Sequence, residues 1–237
     1  MRILIVLCLL SNSWAYGQQI TGQELLNKTL NYHDPNGEWA QLNATVRYDE
    51  YRANNTIRKS VARFDNAGDR FKLERTNDKL VITRGTVSDS CYVLVNGSAD
   101  FDVALDSTFN LACERSFMYR NYYLYMQGLP MKLQDQGTVV HDKVEQTQFM
   151  GKTYLRLKIT YEQSIGNDTW YMYINPTSFA VEVYQFYHDE SINDGEYITL
   201  EGSVKVGQMV WPESRSWYTN KEQKYLGKDV IVDVRVH

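Results

Sequence analysis

Histidine next to aspartate is the residue combination in this sequence that could support catalysis or hold a metal ion. Three of the four histidines are followed directly by an aspartate, at His33-Asp34, His141-Asp142 and His188-Asp189. Imidazole and carboxylate groups bind zinc, and the same pair serves in general acid–base catalysis. Adjacent residues of a strand point to opposite faces, however, so a single dipeptide does not readily chelate one ion. A metal-dependent or hydrolytic site would therefore need the weak candidates to converge, and these are His33, Asp34, His188 and Asp189.

The alternative for the first pair is structural. In that interpretation His33 and Asp34 cap the end of a helix and fix the turn before Trp39. The sequence contains no nucleophile elbow, phosphate-binding loop or zinc-ligand spacing, so no motif names a reaction or a cofactor. We therefore expect a binding protein rather than an enzyme and no cofactor, and we keep the His-Asp enzyme as the alternative.

The N-terminal 17 residues have the pattern of a cleavable export signal. Met1-Arg2 precedes an apolar run over residues 3–10, and the sequence Ala15-Tyr16-Gly17 resembles a small-residue cleavage site. The run is too short to cross a bilayer, which needs about 20 residues. We expect residues 1–17 to be a signal peptide and residues 18–237 to be one exported domain, soluble in the periplasm or outside the cell. No further apolar segment of spanning length occurs in the sequence.

The charge of the chain argues against some classes of partner. Its formal net charge is −4, and its basic residues form no cluster along the sequence. Nucleic acids and anionic membranes select basic patches, so we expect neither as a partner. An apolar or amphipathic small molecule is the partner that we expect instead, and the sequence identifies no protein partner.

Two cysteines, Cys91 and Cys113, remain after the predicted signal peptide. In an oxidising compartment such a pair favours a disulfide, which would close a loop of about 23 residues and stabilise the fold by about 3 kcal/mol. Two buried free thiols are the alternative. A redox role would need a closely spaced C-x-x-C pair, which the sequence lacks.

The elements that must position these residues follow from capping signals and periodicity. Thr21 and Glu24 form a capping box that predicts a helix up to Pro35. Residues 39–95 and 154–236 show the period-two alternation of antiparallel strands, and residues 114–127 predict a second helix, almost wholly buried. A sheet of about ten strands must curl. We therefore predict an α+β fold in which a large curved antiparallel half-barrel wraps around two or so helices.

Four strings in the sequence resemble a family of uncharacterised exported proteins from the Bacteroidota. They are His33-Asp34-Pro35-Asn36-Gly37-x-Trp39, the segment YLYMQGLPMKL at residues 123–133, Phe186-Tyr187-His188-Asp189-Glu190, and Trp217-Tyr218. The resemblance covers nearly all of residues 18–237. That family is similar in architecture to the lipoprotein-carrier (LolA-like) fold, and the resemblance therefore implies a half-barrel that holds helices over an apolar cavity.

The chain contains eighteen tyrosines, which combine a large apolar ring with a polar tip. Tyrosines on an inward face suit a cavity that is partly wet or filled by an amphiphile, although they could also border a helix–sheet interface. The leading hypothesis is an exported, non-enzymatic binding or carrier protein for a lipid or lipid-like ligand; a structural module of the cell envelope is a further alternative. The predicted ligand-binding residues are aromatic or sulfur-containing and comprise Trp39, Met118, Tyr122, Tyr125, Met126, Trp170, Met172, Tyr184 and Phe186.

Overall fold

Helix α1, Gly22–His33, begins at the predicted capping box. The structure, a computed structural model, describes residues 20–77 and 79–237, so the predicted signal peptide lies outside the described residues. The Thr21 hydroxyl accepts a hydrogen bond from the Glu24 amide, and the Glu24 carboxylate accepts one from the Thr21 amide. This reciprocal pairing satisfies two amides that the first turn leaves free, and the predicted helix start is confirmed.

Within residues 20–77 and 79–237 the chain forms fourteen strands, twelve of which join in one antiparallel sheet. The sheet order is β5-β4-β3-β2-β1-β14-β13-β10-β9-β8-β7-β6, and β11 and β12 form a separate hairpin. The last strand, β14, pairs with both β1 and β13 and so joins the two halves. The strands are β1 (Asn43–Arg52), β2 (Ile57–Asp65), β3 (Arg70–Asn77), β4 (Leu80–Val87), β5 (Ser90–Val95), β6 (Thr138–Phe149), β7 (Lys152–Tyr161), β8 (Thr169–Ile174), β9 (Val181–Tyr187), β10 (Glu196–Glu201), β11 (Val204–Val206), β12 (Met209–Trp211), β13 (Ser214–Thr219) and β14 (Tyr225–Val236).

The predicted half-barrel is confirmed: the curved sheet ends at β5 and β6 and does not close. The sheet has two more strands than the ten expected. One reason is β6, whose alternation is interrupted by a register shift between Val140 and Val144. Outside the main sheet, the ends of the predicted strands over 196–206 and 209–218 form a separate hairpin, because β11 and β12 pair with each other.

Three α-helices occur in the described residues, and α1 and α3 pack on one face of the sheet, which we call the inner face. Helix α3, Arg115–Gly128, lies against β3, β4 and β5, whereas α1 lies against β6, β7 and β12. The short helix α2, Val103–Phe109, was not predicted; the Asp102 carboxylate caps its first turn. Each long helix thus covers a different half of the half-barrel.

The inner face carries two apolar cores, one mainly under α1 and the other mainly under α3, and Met126 of α3 also reaches the first. The core of the C-terminal half joins Leu25 and Leu26 of α1 to side chains such as Leu157 and Met172. The core of the N-terminal half joins Tyr123 of α3 to side chains that include Phe64. Both cores are buried from water, which gives each half its own hydrophobic stabilisation.

Tyrosines form a layer on the opposite, outer face of strands β7 to β13. Tyr171 and Tyr173 alternate with inward-facing residues of β8 and therefore point outward. Their hydroxyls donate hydrogen bonds to Glu190 (2.6 Å) and Gln185 (2.6 Å). The layer consists of Tyr154, Tyr171, Tyr173, Val183 and Tyr197 with Phe149, Tyr187 and Tyr218 at its margin. Part of the tyrosine excess thus covers the outer face, a role that neither sequence interpretation included.

Candidate functional site

The disulfide joins the edge of the sheet to the start of α3. Cys91 lies on β5 and Cys113 lies two residues before Arg115, with a Cα–Cα distance of 5.7 Å. The structure therefore contains the predicted bridge rather than two free thiols. By fixing the N-terminal end of α3, the bridge holds the helix over the inner face.

His33 is a structural residue with both ring nitrogens in use. Its Nδ1 donates to the Val210 carbonyl (2.8 Å), and its Nε2 accepts from the Val181 amide (3.0 Å). Burial lowers the pKa of His33 to about 4, so the ring is neutral at physiological pH. The imidazole thereby links the end of α1 to β9 and β12 and leaves no nitrogen free for a metal ion.

The other candidate ligands of the alternative hypothesis belong to separate local networks. Asp34 accepts hydrogen bonds from the amides of Glu38 (2.7 Å) and Trp39 (3.0 Å), which fixes the turn before Trp39 as the structural interpretation expected. Asp189 accepts from the amide and hydroxyl of Ser191 (2.8 and 2.7 Å).

His188 is exposed and pairs through Nδ1 with Asp168 (2.7 Å), which raises the pKa of His188. Within residues 20–77 and 79–237, no three His, Cys, Asp or Glu side chains lie close enough together to hold a metal ion. Each of the four candidate residues thus forms hydrogen bonds with its own local neighbours.

Seven of the nine predicted ligand-binding residues lie in the packed cores or at their margin. Met126, Met172 and Tyr184 are buried in the C-terminal core, where the Tyr184 hydroxyl donates to the Leu129 carbonyl (3.2 Å). Trp39 is half-buried against Trp211, with ring centroids 6.1 Å apart. These side chains support the walls of the half-barrel.

Five of the predicted residues, including Trp170 of the C-terminal core and Tyr125 and Phe186 at its margin, follow one side of α3 and strands β8 and β9. Met118 and Tyr122 are 49% and 45% exposed, so α3 is not enclosed as the sequence predicted. Tyr125 contacts the Trp170 ring edge-on (5.1 Å), and Trp170 stacks on Phe186 (4.8 Å). The broad apolar arc of α3 thus includes residues that are open to water instead of packed.

An apolar cavity of about 450 Å³ lies at the end of this row. Tyr125 and Trp170 are in its wall together with Leu124, Tyr161 and Ile165. The Tyr125 and Tyr161 hydroxyls are hydrogen-bonded to each other across it. We use the name apolar groove for this cavity together with Met118, Tyr122 and Phe186.

A larger cavity, of about 750 Å³, was missed by the sequence analysis. Four arginines line it, Arg52, Arg58, Arg75 and Arg84, and among the described residues no acidic side chain does. These arginines come from β1 to β4 and are too far apart in sequence to form a basic cluster. A signal was present, because Arg75 follows Leu73 by two residues and therefore shares its inward face. We call this space the arginine cavity.

A row of charged side chains crosses the inner face beside the arginine cavity. Pairing places Arg58, Glu50, Asp229 and Arg215 next to one another on β2, β1, β14 and β13. Glu50 accepts from the Tyr123 hydroxyl (2.6 Å) and forms ion pairs with Arg58 and with Arg75 (3.5 Å).

The remaining two members of this row are incompletely paired. Arg215 is 1% exposed, and its Nε and Nη2 have no hydrogen-bond partner among the described residues. Burial, with the negative charge of Glu50, raises the pKa of Asp229 to about 7. The interior thus holds more positive than negative charge.

Comparison with solved structures finds similar folds at low sequence identity. A LolA superfamily protein from Nitrosomonas europaea has a TM-score of 0.55 and 9% identity, with coverage of 92% of this chain and 94% of that chain. A putative outer membrane lipoprotein-sorting protein domain from Vibrio parahaemolyticus has a TM-score of 0.49 and 9% identity, with 90% and 91% covered. The first of these likenesses shows a LolA-like fold.

Comparison of the sequence with known proteins identifies a family but no curated relative. The model of a family of unknown function, DUF6503, matches residues 1–234. The comparison with curated proteins gives no match. In the described part of the chain, no helix is long and apolar enough to cross a membrane.

Proposed function

The chain belongs to DUF6503, a family of unknown function, and we propose that it is an exported, non-enzymatic carrier or binding protein for an apolar or amphipathic, lipid-like ligand. The observation that carries the proposal is the row of exposed apolar side chains on α3 that leads into an apolar cavity. The ligand lies in the apolar groove, between α3 and the inner face of the sheet. Residues 1–17 support export through their signal-like pattern.

Met118 and Tyr122 of α3 offer exposed apolar surface to a ligand. The two residues are four positions apart, so they lie on the same side of the helix. Because about half of each side chain is already buried, covering the rest with another apolar surface gains about 1 kcal/mol each. The hydrophobic effect would therefore favour binding of an apolar ligand along this side of α3.

The walls of the groove support a flat or flexible apolar guest. Trp170 and Phe186 stack on each other and form a rigid aromatic surface opposite α3. The lining of the cavity also includes polar side chains, which are Asn121, Lys132, Asp135, Gln136, Thr138 and Asp168. Sites for small molecules usually combine apolar walls with polar groups that orient the ligand.

The first experiment looks for the natural ligand. The full chain is purified from the compartment to which it is exported and analysed by native mass spectrometry before and after extraction with organic solvent. We expect adducts of lipid-like mass that the solvent removes. A protein that carries no apolar adduct and also fails to bind the neutral fluorescent probe N-phenyl-1-naphthylamine would overturn the proposal.

A variant pair locates the binding site. The double variant Met118→Ser/Tyr122→Ser should weaken binding of N-phenyl-1-naphthylamine about tenfold or more, because it removes two apolar contacts. Both side chains are exposed, so folding should be unaffected. Met150→Ser is the matched control, because Met150 is 65% exposed and lies on the β6–β7 turn. Equal probe affinity in the double variant and the control would contradict the groove assignment.

A further inference from the structure

We infer that the arginine cavity binds the anionic headgroup, phosphate- or carboxylate-like, of the amphipathic ligand whose apolar part lies in the groove. The inference rests on the proposed function and adds the chemical class of the ligand. The overall charge does not indicate such a site, since the chain is acidic, with a formal net charge of −4.

The arginines of the cavity have unused capacity to bind an anion. Arg52 is exposed and forms no ion pair among the described residues, and Arg84 is held by the Phe109 and Asn110 carbonyls (3.2 and 2.8 Å) without a carboxylate partner in that part of the chain. Arg75 shares Glu50 with Arg58, and its buried Nε has no hydrogen-bond partner in the described chain. Guanidinium groups bind phosphate and carboxylate in bidentate geometry, so an anion here would satisfy donors that the protein leaves free.

The contacts and the pKa of Tyr119 indicate a positive electrostatic potential inside the arginine cavity. The guanidinium carbons of Arg75 and Arg84 lie 4.8 and 5.2 Å from the centre of its ring. Although burial raises the pKa of Tyr119, the charges of Arg75, Arg84 and Arg115 outweigh it and hold the pKa below its ordinary value. A potential that favours a phenolate also favours the negative charge of a ligand.

Helix α3 connects the arginine cavity to the apolar groove. Tyr119 lines the arginine cavity, Tyr125 lines the apolar cavity, and the exposed Tyr122 lies midway between them. Steps of three residues keep these side chains on neighbouring parts of the helix surface, and six residues rise about 9 Å. A headgroup among the arginines therefore places an alkyl chain along Tyr122 and into the groove. The arginine cavity also has its own apolar wall, with Ile82 and Leu226.

The experiment compares the affinities of three probes for the full chain, measured by isothermal titration calorimetry. Dodecyl phosphate carries both parts of the inferred ligand, dodecan-1-ol carries only the apolar part, and inorganic phosphate carries only the charge. We expect dodecyl phosphate to bind at least about thirtyfold more tightly than either of the others, with an affinity that falls as salt is added.

Two arginine variants test whether the headgroup binds in the arginine cavity. Arg52→Gln should weaken dodecyl phosphate binding by about five- to tenfold and leave dodecan-1-ol unchanged, since Arg52 is exposed and has no ion-pair partner in the described chain. Arg63→Gln is the control: Arg63 is exposed on β2 but points to the outer face, because it alternates with the inward Ala62 and Phe64.

The outcomes separate the inference from the proposed function. Equal affinity for dodecyl phosphate and dodecan-1-ol overturns the headgroup inference and leaves the carrier proposal standing. Failure of both amphiphiles to bind overturns the proposed function itself. Inorganic phosphate that binds as tightly as dodecyl phosphate makes the cavity a site for free anions and overturns the link to the groove.

Discussion

His33 connects three elements through a single neutral ring. Nε2 accepts from the Val181 amide, so a proton on that nitrogen would remove the hydrogen bond and place a charge in a buried site. Burial lowers the pKa of His33 from 6.5 to about 4. In the unfolded chain the ring takes up its proton near pH 6.5, so the stability that His33 contributes is complete above that pH and is lost as the pH falls towards 4.

Replacing His33 should therefore lower stability and change its pH dependence. We expect His33→Gln to lower the free energy of unfolding by about 2 kcal/mol at pH 7, because two buried backbone groups lose a well-placed partner. Between pH 6.5 and 4 the variant should lose less stability than the native protein. Urea unfolding across this range measures both effects. His188→Gln, at an exposed position, should change stability little, and parallel pH profiles for native protein and His33→Gln would contradict the argument.

Asp229 should give the opposite pH dependence. Burial and the neighbouring Glu50 raise the pKa of Asp229 from 3.8 to about 7, so the folded protein holds a proton that the unfolded chain has released. Stability should fall as the pH rises from about 4 to 7 and level off above that value. Asp229→Asn keeps the uncharged form at every pH, and we expect it to be about 2–4 kcal/mol more stable than the native protein at pH 8 and nearly equal at pH 4.

Urea unfolding at pH 4.5 and pH 8 tests this expectation. Asp233→Asn is the control on the same strand, because Asp233 is exposed and pairs with Arg47 at the surface (3.8 Å). If Asp229→Asn and Asp233→Asn behave alike at pH 8, the charge of Asp229 does not destabilise the fold.

At the scale of elements, α1 approaches β6 closely because its first residue is glycine. A Cβ on Gly22 would lie 2.0 Å from the His141 carbonyl oxygen, which belongs to the backbone and cannot rotate away. Helix propensity alone favours Gly22→Ala by about 1 kcal/mol, so the sign of the change distinguishes the two effects. We expect Gly22→Ala to lower the free energy of unfolding by about 2 kcal/mol, because the helix must shift from the sheet.

Gly166→Ala is the comparison for this substitution, since a Cβ there meets nothing within 4 Å. Chemical denaturation of the two variants and the native protein measures the change in the free energy of unfolding. A stabilised Gly22→Ala protein would mean that α1 is free to move away from β6 at no cost.

The disulfide should matter most for the segment that contains α2. Cys91–Cys113 encloses α2 and fixes the start of α3 on edge strand β5. The double variant Cys91→Ser/Cys113→Ser should lose about 3 kcal/mol, as expected for a loop of this length. Amide hydrogen exchange should become faster in α2 and at the start of α3 and remain slow in the C-terminal core. Unchanged exchange in residues 103–117 would show that packing alone orders this segment.

Elements with strong local signals were predictable from sequence. The capping box of α1 and the alternation of strands such as β7 depend on neighbouring residues and are found where they were expected. Strand β6 was not predicted because its register shift breaks the alternation, and α2 is too short to show a helical period. The exposure of Met118 was not predictable either, because an apolar residue on a helix gives the same pattern whether or not another element covers it.

The arginine cavity and the charged row depend on pairing between distant strands. Glu50 and Asp229 are neighbours only because β14 returns to pair with β1. Arg215 joins the row through the next pairing, between β13 and β14. A sequence pattern records which face a residue occupies but not which strand lies beside it, so this part of the site appears only in the folded chain.

At the scale of the whole molecule, the half-barrel is two packed halves joined by β14, and the proposed site has one cavity in each half. Each half has its own core and its own long helix. The contacts of Tyr125 with Tyr161 and Trp170 link α3, which packs on the N-terminal half, to the C-terminal half. A ligand that lies along α3 touches both halves and should therefore stabilise them together.

Thermal unfolding with dodecyl phosphate tests this coupling. At a ligand concentration one hundred times its dissociation constant, mass action adds about 2.7 kcal/mol to the free energy of unfolding. For a chain of this size, that corresponds to a rise in Tm of about 5–10 °C. We expect one transition that moves as a whole, followed both by tryptophan fluorescence and by calorimetry, and a smaller shift for Arg52→Gln at the same ligand concentration. Two transitions of which the ligand moves only one would mean that the halves unfold independently and that the ligand contacts just one of them.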